Sequence, residues 1–152
     1  MEGQRIEFKE TYSWDVKEDR INKELRHEVL RTVAAFRNTQ GGKLFIGVHD
    51  SGQIKGLTRD LKSLSKDQDS FERVLSDLFV SSLEPSPHDA ASIEFHQFEE
   101  GLICTVEINP DPGGIQYVTW NNEHELWIRE GNRSRKLSGK ERDDWILKRA
   151  GK

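Results

Sequence analysis

The chain has 152 residues, 34% of them hydrophobic and 33% charged, with 23 lysines and arginines against 27 aspartates and glutamates and a net charge of −4. That length suits one domain over residues 1–152 with its own core, and the acidic balance excludes an indiscriminate polycation, so any phosphate-binding surface has to be local. A lone Cys104 excludes an internal disulfide or a cysteine-based zinc site, and no stretch approaches the roughly 18 apolar residues of a membrane span.

In chain order, Arg5-Ile6-Glu7-Phe8-Lys9 alternates polar and apolar side chains, which predicts a short strand with Ile6 and Phe8 turned inward. Over residues 19–37, Ile21, Leu25, Val29, Val33 and Phe36 recur at helical spacing, and Asn38-Thr39-Gln40-Gly41-Gly42 ends that helix with residues that tolerate a left-handed cap. Residues 43–48 are apolar on both parities, as in a central strand covered on both faces, and Asp50-Ser51-Gly52-Gln53 turns into a second strand at residues 54–57. A polar stretch without period fills residues 58–69. Phe71, Val74, Leu75, Leu78 and Phe79 predict a second helix that stops before Pro85.

The period then changes to two. Residues 93–97 and 102–108 predict an antiparallel hairpin, with Cys104 as a buried strand thiol, and Asn109-Pro110-Asp111-Pro112-Gly113-Gly114 predicts a loop. Two more strands, at about 116–120 and 124–129, precede a helix over 138–149, with Ser138 as its cap and Glu141 in capping-box position. The order β-α-β-β-α-β-β-β-β-α, with about three helices, specifies an α+β domain with helices against a mixed or antiparallel sheet.

Charge is distributed unevenly. Residues 129–152 hold nine basic and four acidic side chains, a net of +5, leaving −9 on the preceding 128 residues. A basic end on an acidic body reads either as a phosphate-binding footprint or as a solvated helix face. Three families of chemistry lack their motif: Arg37 stands where a phosphate loop needs its first glycine, no histidine pair has H-E-x-x-H spacing, and there is no G-x-S-x-G elbow. His27, His49, His88, His96 and His124 read as surface or capping residues.

The run Glu7-Phe8-Lys9, then Ala35-Phe36-Arg37-Asn38-Thr39-Gln40-Gly41-Gly42, Leu44-Phe45-Ile46-Gly47-Val48-His49-Asp50, Gly52 and Gly56-Leu57 resembles the Schlafen AlbA_2 domain family. The likeness continues through Leu126-Trp127-Ile128-Arg129 with Gly131, Ser134 and Arg135, so it covers nearly the whole chain. The resemblance implies nucleic-acid binding and, in the Schlafen branch, a divalent-metal-dependent endoribonuclease that cuts structured RNA such as transfer RNA with three carboxylates. Matched position by position, those carboxylates are Glu2, Glu7 and Asp50. His49 stands where the family usually carries an acid, and the zinc-binding element of larger Schlafens is missing. Those larger proteins join two related lobes around RNA, so one lobe here implies a homodimer.

Three carboxylates are suitable hard oxygen ligands for Mg2+ or Mn2+, and Lys9, on the strand face of Glu7, could hold a substrate phosphate. A spacing of five puts Glu2 and Glu7 on opposite faces of a strand and about 140° apart on a helix, so a bend near Gly3 is required for them to converge. The alternatives are a solvated terminal residue for Glu2, an ion pair with Lys9 for Glu7 and a turn aspartate for Asp50. On the basic end, Arg129, Arg133, Arg135, Lys136 and Lys140 are the expected phosphate contacts. Trp14, Trp120, Trp127 and Trp145 could stack on bases but read mainly as core. The competing function is a non-catalytic DNA- or RNA-binding module or regulatory subunit. The unpaired cysteine and the lack of an apolar leader in Met1-Glu2-Gly3-Gln4-Arg5 point to a cytoplasmic protein free of the membrane.

Overall fold

The computed structural model describes residues 2–62 and 67–151, apart from the side chain of His88. The parts of the polar 58–69 stretch at 63–66, the histidine reading for His88 and the basic Lys152 lie outside the described residues. Two four-stranded sheets flank the long helix α1 (Lys23–Asn38). The first has the order β1-β4-β7-β6, from β1 (Ile6–Lys9), β4 (Gly42–Ile46), β7 (Gly101–Ile108) and β6 (Ala91–Phe98), with β1 parallel to β4 and the other pairs antiparallel. The second is antiparallel, in the order β10-β9-β8-β5, from β10 (Arg133–Leu137), β9 (Glu123–Glu130), β8 (Tyr117–Trp120) and β5 (Leu83–Glu84). A two-residue ribbon joins β2 (Trp14–Asp15) to β3 (Arg20–Ile21). Helices α2 (Thr58–Asp60), α3 (Gln68–Ser82) and α4 (Gly139–Ala150) complete an α+β domain.

Helix α1 is the centre of the core. Its N-cap Asn22 accepts from the Glu24 N–H at 3.0 Å, and its apolar stripe buries Val29, Leu30, Val33 and Phe36. Those residues pack with Leu44 and Ile46 of β4, Cys104 and Val106 of β7, Val118 of β8, Trp127 of β9 and Phe71 and Leu75 of α3. Burial pushes the Cys104 thiol up, so it behaves as a small core hydrophobe. The end of α1 needs glycine twice over. Gly41 has φ +73° and a Cβ there would lie 2.6 Å from the Ile108 carbonyl, while a Cβ on Gly42 would lie 2.8 Å from the Phe36 ring and from the Arg5 carbonyl.

Several sequence expectations are corrected. Strand β1 is buried on both faces at its middle: Phe8 is buried as expected, but Ile6 is 36% exposed and Glu7 is buried on the side of α1. Phe8 joins Val48, Ile103 and the Phe45 ring, 5.7 Å away, in a small cluster of its own. Helix α1 begins at Lys23 rather than near residue 19, because Asp19 has φ +53° and Arg20 and Ile21 pair with Asp15 and Trp14. The expected strand at 54–57 is reduced to a single bridge from Val48 to Ile54. Ser138 caps α4 without a side-chain bond, and Glu141 pairs with Arg135 instead of closing a capping box. Strand β10 was not expected, since Arg-Ser-Arg-Lys-Leu carries little apolar alternation.

Asn38, at the last turn of α1, ties the helix to the second sheet. Its Nδ2 donates to the Gln116 and Trp127 carbonyls at 2.9 Å each, and its Oδ1 accepts from the Gln116 N–H at 2.8 Å. Asn38→Ala leaves three buried backbone groups unpartnered, so it is expected to lower stability by about 3 kcal/mol, read as a shift in the urea midpoint at unchanged m-value.

Candidate active site

Glu7 and Lys9 project from β1 toward α1, two residues apart on one strand face. A buried carboxylate requires a charged or hydrogen-bonded partner, and Glu7 finds Arg129 of β9, whose wholly buried guanidinium donates from Nη1 to Oε1 at 2.7 Å. The same guanidinium donates from Nε and Nη2 to the Gly3 carbonyl at 3.1 and 2.8 Å, from Nη2 to the Ile6 carbonyl at 3.0 Å and from Nη1 to Ser134 Oγ at 3.3 Å. Its face lies over the Phe36 ring, 4.9 Å from the centroid. All five of its N–H groups are thus used inside the chain, and Arg129 has none left for a phosphate. As it stands, Arg129 holds Glu7 and the turn before β1 rather than facing solvent.

These contacts create the bend that the Glu2–Glu7 spacing demands. The Gly3 N–H donates to the Ile6 carbonyl at 2.9 Å, and Gln4 is held at both ends by β9 and the turn after it, donating to the Arg129 carbonyl at 3.0 Å and accepting from the Gly131 N–H at 2.7 Å. Asp50 reaches the same place from the end of β4, where Gly47 and Val48 donate to the Lys9 carbonyl at 2.7 and 3.2 Å. The turn beyond closes through the His49 N–H to the Gln53 carbonyl at 2.9 Å. As a result Glu2 comes beside both Glu7 and Asp50. Burial first, then the shared bond with Glu7 and the negative charges of Glu7 and Asp50, push the Glu2 carboxyl up to about 8.

Lys9 Nζ lies 3.0 Å from Glu28 Oε1 of α1 and 3.6 Å from Glu7 Oε2. Glu28 is a neighbour that the sequence did not single out; its signal was its place on the α1 face one turn from Arg31 and Leu25. His49 is exposed and engaged within its turn, its Nδ1 accepting from the Ser51 N–H at 3.1 Å. Among the described residues no three His, Cys, Asp or Glu side chains are placed so that they could hold a metal ion as they stand. Glu2 lies beside Glu7 and Asp50, with its carboxyl raised by burial and by their charges. In kind, the donor set fits magnesium or manganese, because every candidate ligand is a carboxylate oxygen. An open groove of about 550 Å³ runs beside them, lined by Lys9, Asp50, Glu28, Trp14 and Val16.

The other expected phosphate contacts lie elsewhere, on β10 and α4. Arg133 is 3.5 Å from Glu130, Arg135 is 2.8 Å from Glu130 and 2.7 Å from Glu141, Lys136 is 3.5 Å from Glu123 and Glu125, and Lys140 is 2.7 Å from Asp144. Each of these four basic side chains therefore lies against an acid. Of the tryptophans, Trp127 is core, Trp120 stacks on His27 at 4.8 Å and Trp145 lies under Arg149 at 4.5 Å, whereas Trp14 faces the groove.

Two outcomes follow from this geometry. Arg129→Lys keeps the charge but cannot reach the Gly3 and Ile6 carbonyls and Glu7 together, so it is expected to cost about 3 kcal/mol in urea unfolding. Glu2 concerns pH: because its folded value of about 8 lies above the ordinary 4.5, the folded chain holds a proton across that window that the unfolded chain has released. Stability contributed by this proton is present below about 4.5 and is lost as pH rises through about 8. Glu2→Gln is expected to flatten that part of the slope, measured as the difference between mutant and wild-type urea midpoints at acidic and mildly alkaline pH.

The fold is similar to two solved structures. The DIP2311 protein of Corynebacterium diphtheriae matches with a TM-score of 0.62 at 18% identity over 95% of this chain, which spans 23% of that protein. The N-terminal domain of a putative ATP-dependent DNA helicase RecG-related protein from Nitrosomonas europaea matches with a TM-score of 0.51 at 18% identity, over 89% of this chain and 82% of that domain. No helix among the described residues is long and apolar enough to cross a membrane. The family model for Schlafen, AlbA_2 matches residues 2–138, and with the glycine-terminated α1, the β4 turn and the β9–β10 hairpin all in place, the chain belongs to the Schlafen AlbA_2 family.

Proposed function

We propose that this domain binds nucleic acid and hydrolyses phosphodiester bonds of structured RNA, such as transfer RNA, as a divalent-metal-dependent endoribonuclease. The observation that carries this reading is the meeting of Glu2, Glu7 and Asp50 beside Lys9 at the edge of an open groove. Membership of the Schlafen AlbA_2 family supports it, as does the likeness to a domain whose parent is described as a DNA helicase-related protein. Glu2, Glu7 and Asp50 would hold the Mg2+ or Mn2+ ion, which when bound supplies Lewis-acid polarisation of the phosphodiester and a water of lowered pKa.

The chain's own residues have separable tasks. Arg129 fixes Glu7 through Oε1 and leaves Oε2 toward Lys9. Glu2 carries the proton that keeps three neighbouring carboxylates compatible before a cation arrives. Lys9, held between Glu7 and Glu28, is placed to bind a phosphate oxygen that enters beside Asp50. A one-lobed chain would act as a homodimer, and the unpaired Cys104 suits the reducing cytoplasm.

The test incubates the purified chain with transfer RNA, ribosomal RNA, single-stranded DNA and duplex DNA, in manganese, magnesium or chelator, beside Asp50→Ala. Discrete RNA fragments are expected, absent with chelator and reduced by more than about 100-fold in Asp50→Ala with binding retained, since removing even an outer partner of a metal site costs about 10- to 100-fold. Sedimentation of the same sample reads the dimer. Binding without cleavage in every metal would leave a non-catalytic DNA- or RNA-binding module or regulatory subunit.

A further inference from the structure

The groove at the carboxylates does not end there. A second cavity of about 490 Å³ shares Glu10, Thr11, Val16 and His49 with it and continues to Lys55, Thr58, Arg59 and Lys62. Lys55, Arg59 and Lys62 are all exposed, and none forms an ion pair or side-chain hydrogen bond with another described residue. The one carboxylate in that lining is Glu10. This is the reverse of the C-terminal surface, where Arg133, Arg135, Lys136 and Lys140 each lie against an acid.

The two walls of this passage are held in place rather than left to drift. Asp60, wholly buried and next to Arg59, accepts from the backbone N–H groups of Tyr12, Ser13 and Trp14 at 2.8, 3.3 and 3.0 Å, which ties α2 to the segment opposite. Lys55 is placed by its own N–H, which donates to the Gly47 carbonyl at 2.7 Å. The passage thus carries Lys55, Arg59 and Lys62 at one end and Glu28 and Asp50 at the other.

We infer that this passage is the track of a phosphodiester backbone, with Lys55, Arg59 and Lys62 taking phosphates upstream of the bond presented at Asp50. The inference rests on the nucleic-acid reading and assigns to that reading its contact surface. A phosphodiester suits both ends: its oxygens pair with lysine and arginine, and at the acidic end they share a divalent cation with carboxylates, the usual way in which Mg2+ is held. Backbone contacts of this kind position a strand without reading its sequence.

The test measures binding of a fluorescent 20-nucleotide single-stranded RNA, and of DNA of the same sequence, to the full chain across a salt series, with calcium in place of magnesium to withhold cleavage. Each phosphate contact on a single strand contributes about 0.7 to the slope of log affinity against log salt. Lys55→Ala/Arg59→Ala/Lys62→Ala is expected to bind both probes at least about tenfold more weakly and to make that slope shallower by about 2. Lys148→Ala, on the exposed side of α4, is expected to stay within about twofold of wild type. Wild-type affinity in the triple variant, or a loss produced by Arg133→Ala alone, overturns the track while leaving the nucleic-acid reading intact. Failure of the wild-type chain to bind either probe overturns the track, and failure to bind transfer RNA under the same conditions as well overturns both.

Discussion

The candidate site exists because one arginine is buried. Arg129 enters the space between the two sheets from β9, packs over Phe36 and distributes its five N–H groups over Gly3, Ile6, Glu7 and Ser134. A guanidinium can make this junction and an ammonium cannot, since the fork reaches two directions at once with its charge delocalised. Its effect is to close the chain before β1 into a turn, and that turn is what carries Glu2 back to Glu7. The cost of desolvating Arg129 and Glu7 is offset by the quality of their mutual bond and by the carbonyls that take the remaining donors. Stability and site geometry are thus the same set of contacts.

The charge pattern changes meaning once folded. Read along the chain, the last 24 residues are the basic region; in space, Arg133, Arg135, Lys136 and Lys140 pair with acids of β9 and α4, an arrangement that secures the C-terminal hairpin and helix at modest energy per pair. Lys55, Arg59 and Lys62, by contrast, line one cavity without an ion pair to another described residue, in a stretch whose sequence shows no conspicuous basic excess. A run of like charge predicts a surface only when the fold separates it from its counter-ions, and spacing along the chain does not report that.

Sequence pattern carried the architecture further than it carried the orientation. The period of α1, α3, β6 and β7 was readable because each buries a full stripe or alternate face against the core, and their boundaries moved by only a few residues. Strand β1 was read with one buried face where it has two, Phe8 on one and Glu7 on the other, because hydrophobic alternation assumes that a buried side is apolar. Here the side facing α1 is the one bearing Glu7 and Lys9, made tolerable by Arg129 and Glu28. The short pieces β2, β3, β5 and β10 have too few residues or too little apolar content to show a period at all. Of the site, the three carboxylates were accessible only through the family resemblance; the bend that joins them depends on an arginine 122 residues away from Glu7, and no local pattern encodes such a contact.

Electrostatics explains why the carboxylates meet without flying apart. Two unit charges 4 Å apart in an effective dielectric of about 20 interact by about 4 kcal/mol, so three fully ionised neighbours would oppose the fold. The structure answers with three different neutralising devices: Arg129 on Glu7, Lys9 between Glu7 and Glu28, and a retained proton on Glu2. In the proposed function a divalent cation held by these carboxylates would compete with that proton, and its charge would also favour a phosphate beside Asp50. Lys55, Arg59 and Lys62 stand outside this exchange, so a backbone held there is anchored by charges that do not depend on the state of Glu2. An acidic centre that would by itself repel a polyanion is in this way supplied with a fixed cationic approach.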